Sequence, residues 1–136
     1  MTPIVLILTA TLALPGVVDN ASAQTVSPQR KPRLIQLDQA AAESMDVFKG
    51  PPETCTMRSG FMVLAPSKSV GKHSTGNNEE ALIVLAGTGE LRITGGPVLK
   101  LKSYCVTYCP PTTEHDVINT GSDTLRYIWL VARAKP

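Results

Sequence analysis

Two histidines are the residues of this chain whose type and setting could support chemistry. The 136-residue sequence contains only His73 and His115, and each follows a strand-like run and a turn and leads into another strand-like run. Imidazole is the commonest metal ligand in proteins and also a common acid–base group. Because a small β-barrel would direct both rings to one place, their matching contexts predict a shared metal or substrate pocket.

Short β-strands are the elements that would position these histidines. Apolar runs alternate with turns rich in Gly, Pro, Asn and Asp. A spacing of about eight to twelve residues between such turns is typical of a β-sandwich or barrel. No long segment has the helical period of about 3.6 residues. The predicted strands span residues 61–64, 81–85, 91–93, 98–102, 104–108, 117–118 and 125–131.

The segment before Thr54 lacks the regular succession of apolar runs and turns. Residues 24–33 contain two prolines among polar residues and predict a flexible leader, after which residues 34–37 could form a first short strand. Asp38 is a candidate cap for a short helix that extends to Met45. We therefore divide the chain into residues 1–23, a leader with short N-terminal elements at 24–53, and a β-barrel at 54–136.

The first 23 residues are typical of a cleavable signal peptide. Residues 4–14 are apolar except for two threonines, and Ala21-Ser22-Ala23 provides the small-x-small pattern that precedes a cleavage site. No Lys or Arg precedes Arg30, so the usual basic start is missing. The apolar stretch is shorter than the roughly 20 residues of a membrane-spanning helix. We predict a periplasmic or secreted protein without stable membrane insertion after cleavage.

The predicted mature chain has the size and charge of one ordinary domain. Cleavage after Ala23 leaves 113 residues, with 13 basic and 10 acidic side chains and a net charge of +3. This length supports a single core. The charges are scattered and mixed in sign, without the basic stripe that nucleic-acid binding requires, so we predict no nucleic-acid partner.

Three cysteines would meet an oxidising compartment if the protein is exported. Cys105 and Cys109 lie four residues apart in a strand-like run, a separation of roughly 13 Å. Because bridged Cα atoms are at most about 7 Å apart, any internal disulfide must pair Cys55 with Cys105 or Cys109. The alternative is three small buried apolar side chains.

The last predicted strand is apolar on both faces. Tyr127, Trp129 and Val131 share one face, and Ile128 and Leu130 share the other. This pattern predicts a central strand that is covered on both sides. We interpret Trp129 as a core residue, not as a platform on which a sugar stacks.

The first histidine segment resembles a motif of the cupin family, G-x5-H-x-H-x3,4-E-x6-G. His73, then Thr75, Glu80 and Gly87 fit this spacing, with Ser67 at the position of the leading glycine. Thr75 replaces the second histidine of the motif. The resemblance therefore retains three of the four ligands that this family commonly uses.

The second histidine segment resembles the other cupin motif, G-x5-P-x-G-x2-H-x3-N. Pro110, His115 and Asn119 match it, while Tyr104 and Thr112 stand at the positions of the two glycines. The replacements are tolerable if the backbone does not need a positive φ there. The resemblance implies an all-β protein, a single antiparallel cupin-type barrel that is similar to a jelly roll.

The resemblance also implies a metal site formed by His73, Glu80 and His115. Two imidazoles and one carboxylate form a facial set that suits non-haem Fe(II) and can hold Mn, Ni or Zn. Thr75 could complete the site weakly through its hydroxyl or through a bound water. Glu79 is the alternative carboxylate, but it should point away from Glu80, as neighbours in a strand do.

Two functions follow as alternatives. The first is an exported small cupin that binds a divalent metal in the barrel and acts on a small molecule. The second is a metal-free module that binds or senses a small ligand without catalysis, which the loss of the second histidine favours. Because the family includes dioxygenases, decarboxylases, isomerases and binders, the resemblance selects no reaction. The edge strands of an open barrel favour a homodimer.

Overall fold

The computed structural model describes residues 30–134 of the chain. In this range the protein forms eight strands and no helix, so it contains no helix long and apolar enough to cross a membrane. The predicted signal peptide, residues 1–23, lies outside the described residues. The strands are β1 (Met45–Lys49), β2 (Arg58–Leu64), β3 (Asn78–Ala86), β4 (Thr88–Ile93), β5 (Val98–Lys102), β6 (Val106–Cys109), β7 (His115–Ile118) and β8 (Leu125–Arg133).

The strands form two antiparallel sheets that face each other across one core. The larger sheet has the order β1-β2-β8-β3-β6 and the smaller one has the order β5-β4-β7. Apolar side chains from the inner faces of both sheets fill the space between them, as in a jelly roll. The buried core cluster consists of Leu64, Leu82, Val84, Leu91, Leu101, Cys109, Val117, Leu125 and Tyr127.

The predicted all-β class is confirmed, and the barrel that the two sheets form is not closed. Within residues 30–134 no ladder of backbone hydrogen bonds joins the two sheets, which are connected by side-chain packing. Strands β1 and β6 form the edges of the larger sheet. The homodimer expected from such edges stays a prediction.

The N-terminal segment differs most from the sequence-based expectation. Residues 34–37 form no strand, and the predicted helix from Asp38 to Met45 is wrong. The Asp38 side chain does accept a hydrogen bond from the backbone N–H of Ala40 at 2.9 Å, but Asp38 begins a turn, in which its carbonyl oxygen accepts the N–H of Ala41 at 3.2 Å. A helix of about two turns is marginal without packing. Residues 45–49 instead form backbone hydrogen bonds with β2, as strand β1.

All three cysteines are free. Cys55 is exposed and forms no bridge, whereas Cys109 is 1% exposed and belongs to the core cluster. The predicted bridge through Cys55 is therefore absent. The alternative, three buried apolar side chains, is correct for Cys109, whereas Cys105 is only partly buried and Cys55 is exposed. Burial, with a smaller contribution from the charge of Glu80, raises the pKa of the Cys109 thiol to about 11. That thiol is protonated at neutral pH and is not an activated nucleophile.

The three positions where motif glycines are replaced all have a left-handed backbone. Ser67, Tyr104 and Thr112 have φ values of 63°, 65° and 60°. The replacements were expected to be tolerable only if these positions did not need a positive φ, and all three positions do have one. A left-handed backbone costs an L-residue about 1–2 kcal/mol, and a β-branched residue such as Thr112 is an outlier there.

Asn119, the last residue of the second motif, has a structural role. Its side chain is fully buried, and its amide nitrogen donates to the carbonyl oxygens of Leu64 and Asp123, both at 2.8 Å. Its side-chain oxygen accepts the backbone N–H of Gly121 at 2.9 Å. Asn119 thus connects the end of β2 to the turn between β7 and β8.

Replacing Thr112 by glycine should stabilise the protein. Thr112→Gly removes the strain of the left-handed residue, which exceeds the entropy that glycine adds to the unfolded chain, so the free energy of unfolding should rise by about 0.5–1 kcal/mol. Urea unfolding followed by tryptophan fluorescence measures this change. Thr113→Gly is the matched control, because Thr113 lies outside the left-handed region and should lose about 0.5–1 kcal/mol. Equal destabilisation by both changes would contradict the strain at Thr112.

Candidate metal centre

Backbone pairing brings the two histidines together. The segment before β3 lies beside β7, and the backbone N–H of His73 donates to the carbonyl oxygen of His115 at 2.9 Å while the reverse bond is 2.8 Å. Residues that exchange both bonds lie directly opposite, with side chains on the same face. The ring centroids of His73 and His115 are 4.5 Å apart, with an angle of 60° between the rings.

Glu80 reaches the same place from the opposite sheet. It lies in β3, is 6% exposed, and places its Oε2 atom 3.0 Å from Nε2 of His115. His73, Glu80 and His115 each offer one potential ligand atom, and these three atoms all lie within 4.8 Å of one another. Glu79 is outside this group and accepts a hydrogen bond from the hydroxyl of Tyr108 at 3.3 Å.

Two backbone carbonyls set the orientation of the rings. Nδ1 of His73 is 2.9 Å from the carbonyl oxygen of Gly71, and Nδ1 of His115 is 3.0 Å from that of Thr113. Because a carbonyl oxygen can only accept, each Nδ1 carries a proton. In a neutral imidazole the other nitrogen, Nε2, is then an acceptor with a free lone pair.

With a neutral imidazole and an ionised carboxylate, two acceptors face each other inside the protein at a separation of 3.0 Å. Nε2 of His115 and Oε2 of Glu80 are buried and form no hydrogen bond with the part of the chain that the structure describes. Leaving a buried polar atom without a partner costs about 1–3 kcal/mol. A cation between them satisfies both atoms, and two imidazoles with a carboxylate are a donor set that suits transition metals. The residues present therefore fit a metal ion.

A second layer of hydrogen bonds supports His73. The carboxylate of Asp116 accepts the hydroxyl of Ser69 at 2.7 Å and the backbone N–H of Gly71 at 3.0 Å. The carbonyl of Gly71 is the group that orients His73. Asp116 thus acts on the site through this loop. Such outer partners commonly fix the orientation of ligand histidines.

Thr75 lies at the edge of the site and is not among the convergent atoms. Its hydroxyl donates to the carbonyl oxygen of Asn78 at 2.9 Å, and its own carbonyl accepts the backbone N–H of Asn78 at 3.3 Å. These bonds hold the turn that leads into β3. Thr75 nevertheless lines the pocket beside His73, where it can contact a bound ligand.

An open pocket of about 470 Å³ adjoins the group. Trp129 packs against the core, in agreement with its interpretation as a core residue, and it also lines this pocket. A Cβ atom at Gly60 would lie 2.5 Å from the indole nitrogen of Trp129, which shows how closely the indole covers this glycine. Arg58 and Lys72 also line the pocket. Sequence reasoning missed both: Lys72 precedes His73 directly, but only strand pairing reveals Arg58.

The match to known proteins places the chain in one family. A family model described as "Cupin domain" matches residues 60–131, and the chain belongs to the cupin family. No curated protein matches the sequence. The fold is similar to a Cupin 2 conserved barrel domain protein from Salinispora arenicola CNS-205, with a TM-score of 0.62 and 22% identity over 77% of this chain and 92% of the other.

Two further solved structures have the same fold. A cupin protein from Bacteroides fragilis has a TM-score of 0.62 and 18% identity, covering 78% of this chain and 87% of its own. A predicted oxalate decarboxylase from Thermotoga maritima has a TM-score of 0.51 and 23% identity, covering 58% of this chain and 66% of its own. At these identities the similarity shows the fold.

Replacing Glu80 by glutamine should stabilise the metal-free protein. In Glu80→Gln the side-chain amide can donate to Nε2 of His115, so two facing acceptors become a hydrogen bond and the free energy of unfolding should rise by about 1 kcal/mol. Urea unfolding in the presence of EDTA measures this. Glu79→Gln is the matched control and should change stability by less than about 0.5 kcal/mol. A clear loss of stability in Glu80→Gln would instead indicate an ion pair between Glu80 and a doubly protonated His115.

Proposed function

We propose that this cupin binds a divalent transition metal through His73, Glu80 and His115 and acts on a small molecule in the adjoining pocket. One observation supports this function above all. Three potential ligand atoms from two sheets converge, and two of them are buried acceptors without a hydrogen-bond partner among residues 30–134. Hydrogen bonding inside the protein explains the orientation of both rings, but it does not satisfy these two atoms.

The proposed ion would supply Lewis-acid or oxygen-activating chemistry when bound. Three protein ligands leave coordination positions for water or substrate, as catalytic sites require. The carbonyls of Gly71 and Thr113 hold the imidazoles in the tautomer that offers Nε2. Tyr127 also lines the pocket, and burial raises the pKa of its hydroxyl further above the usual value, which already keeps a tyrosine protonated at neutral pH.

The donor set is compatible with Fe, Mn, Ni or Zn, because imidazole and carboxylate ligands accept all four. The metal-free binding module is the competing function. Its support is Thr75, which stands at the position of a fourth ligand but uses its hydroxyl as a donor to Asn78. The two functions differ in whether a metal ion stabilises the fold.

Metal binding should therefore be stoichiometric and depend on the three proposed ligands. After incubation with each metal, elemental analysis by mass spectrometry should find about one ion per chain in the wild type and much less in His73→Ala and Glu80→Gln. At a free metal concentration 100 times Kd, the free energy of unfolding should rise by about 2.7 kcal/mol. Glu79→Gln should behave as the wild type. A melting temperature that neither EDTA nor any of the four metals changes would support the metal-free module.

We also propose that the protein works outside the cytoplasm. The support is the sequence of residues 1–23, with an apolar stretch and a small-x-small cleavage pattern. Expression of the full chain in a bacterial host should yield periplasmic or secreted protein whose intact mass corresponds to residues 24–136. A protein that keeps residue 1 and stays with the cytoplasmic fraction would contradict export.

A further inference from the structure

The charged residues around the pocket are unevenly distributed. Apart from Glu80, which belongs to the proposed metal group, the charged side chains that line the pocket are Arg58 and Lys72, both cationic. Within residues 30–134 neither forms an ion pair with a carboxylate. Two cations without counter-ions at a concave site attract an anion, because the walls of a cleft focus their field.

Strand register places Arg58 on the same face of the larger sheet as Glu80. Arg58 in β2 is paired with Val131 in β8, and Val131 is paired with Glu80 in β3. Residues directly opposite in antiparallel strands have side chains on the same face. Arg58 and Glu80 thus stand in one row, two strand spacings or about 10 Å apart. The apolar Val131 lies between them.

The position of the guanidinium stem is constrained. A Cβ atom at Gly50 would lie 3.0 Å from Cγ of Arg58, so the stem packs against a residue that has no side chain. A side chain at residue 50 would therefore collide with the stem of Arg58, which lines the pocket. An arginine at a pocket rim binds a carboxylate through two parallel N–H donors, which fixes the orientation of the anion.

The pocket wall beside Arg58 is largely apolar. Trp129 lies next to Arg58 on the same face of the larger sheet, above Gly60, and Met62 and Tyr127 continue this surface. An aromatic or branched aliphatic group would bury its surface there. A small anion without an apolar part would leave this wall without a contact.

We infer that the ligand is an organic carboxylate with an apolar body, whose anionic end binds Arg58 and Lys72 and whose body lies on Trp129. This inference names the class of small molecule within the proposed function and rests on it, because the ligand would extend from the cations towards the metal group. Arg58, Lys72 and Trp129 are then the residues that determine specificity.

Phenylacetate is a suitable probe, and the single tryptophan of the chain, Trp129, reports its binding through fluorescence excited at 295 nm. Titration of the full-length mature protein should show a saturable change with phenylacetate. Phenylacetamide, its neutral analogue, should bind at least tenfold more weakly, and so should oxalate in a competition titration. In Arg58→Gln/Lys72→Gln the Kd for phenylacetate should rise at least tenfold, while phenylacetamide binding should not change.

Lys102→Gln is the matched control, because Lys102 is an exposed lysine in β5 that does not line the pocket. Circular dichroism of each variant establishes that it is folded, and Arg58→Gln alone should raise Kd if the double variant does not fold. Equal binding of phenylacetate and phenylacetamide, or unchanged phenylacetate binding in the folded Arg58 variants, would overturn the inference.

The same titration with EDTA-treated and zinc-loaded protein separates the two proposals. If the protein binds zinc but does not prefer phenylacetate to phenylacetamide, the inferred ligand class is wrong and the proposed metal site is still supported. Charge-dependent phenylacetate binding in a protein that binds no metal supports the ligand class and removes the metal-dependent function.

Discussion

The contact between Nε2 of His115 and Oε2 of Glu80 is the interaction on which the site depends. Both atoms are hydrogen-bond acceptors when the imidazole is neutral, and both are buried at a separation of 3.0 Å. The fold holds them there because β3 and β7 belong to opposite sheets of one core. With a neutral imidazole, relaxing the contact would require the sheets to separate, the His115 ring to turn away from the carbonyl of Thr113, or the Glu80 side chain to rotate. A bound cation removes the conflict without any of these changes.

The histidine pair follows from backbone geometry. His73 and His115 exchange two backbone hydrogen bonds, so their rings are adjacent whether or not anything binds. Asp116 holds the loop whose carbonyl orients the first ring. The group is thus largely assembled by the fold, and a ligand would not have to bring its parts together. Preorganisation of this kind reduces the free-energy cost of binding.

The sequence predicted the central strands and the family because alternation and motif spacing are local signals. It missed β1, since residues 45–49 become a strand only by pairing with β2. It also could not predict that Ser67, Tyr104 and Thr112 keep the left-handed backbone of the glycines they replace. The motif indicated which residues could meet, but not that both Nε2 atoms would be free to bind. That depends on which carbonyl lies beside each Nδ1. The position of Arg58 at the pocket could be inferred only from the strand register, which is not a local signal.

The most direct measurement is a crystal structure of the metal-loaded protein, with anomalous diffraction recorded on both sides of the absorption edge of the metal. One anomalous peak should lie about 2.0–2.2 Å from Nε2 of His73, Nε2 of His115 and a carboxylate oxygen of Glu80. Both Nδ1 atoms should keep their contacts with the backbone carbonyls. A fully loaded crystal with its peak elsewhere, or a refined hydrogen bond between His115 and Glu80 and no peak between them, would contradict the proposed metal centre.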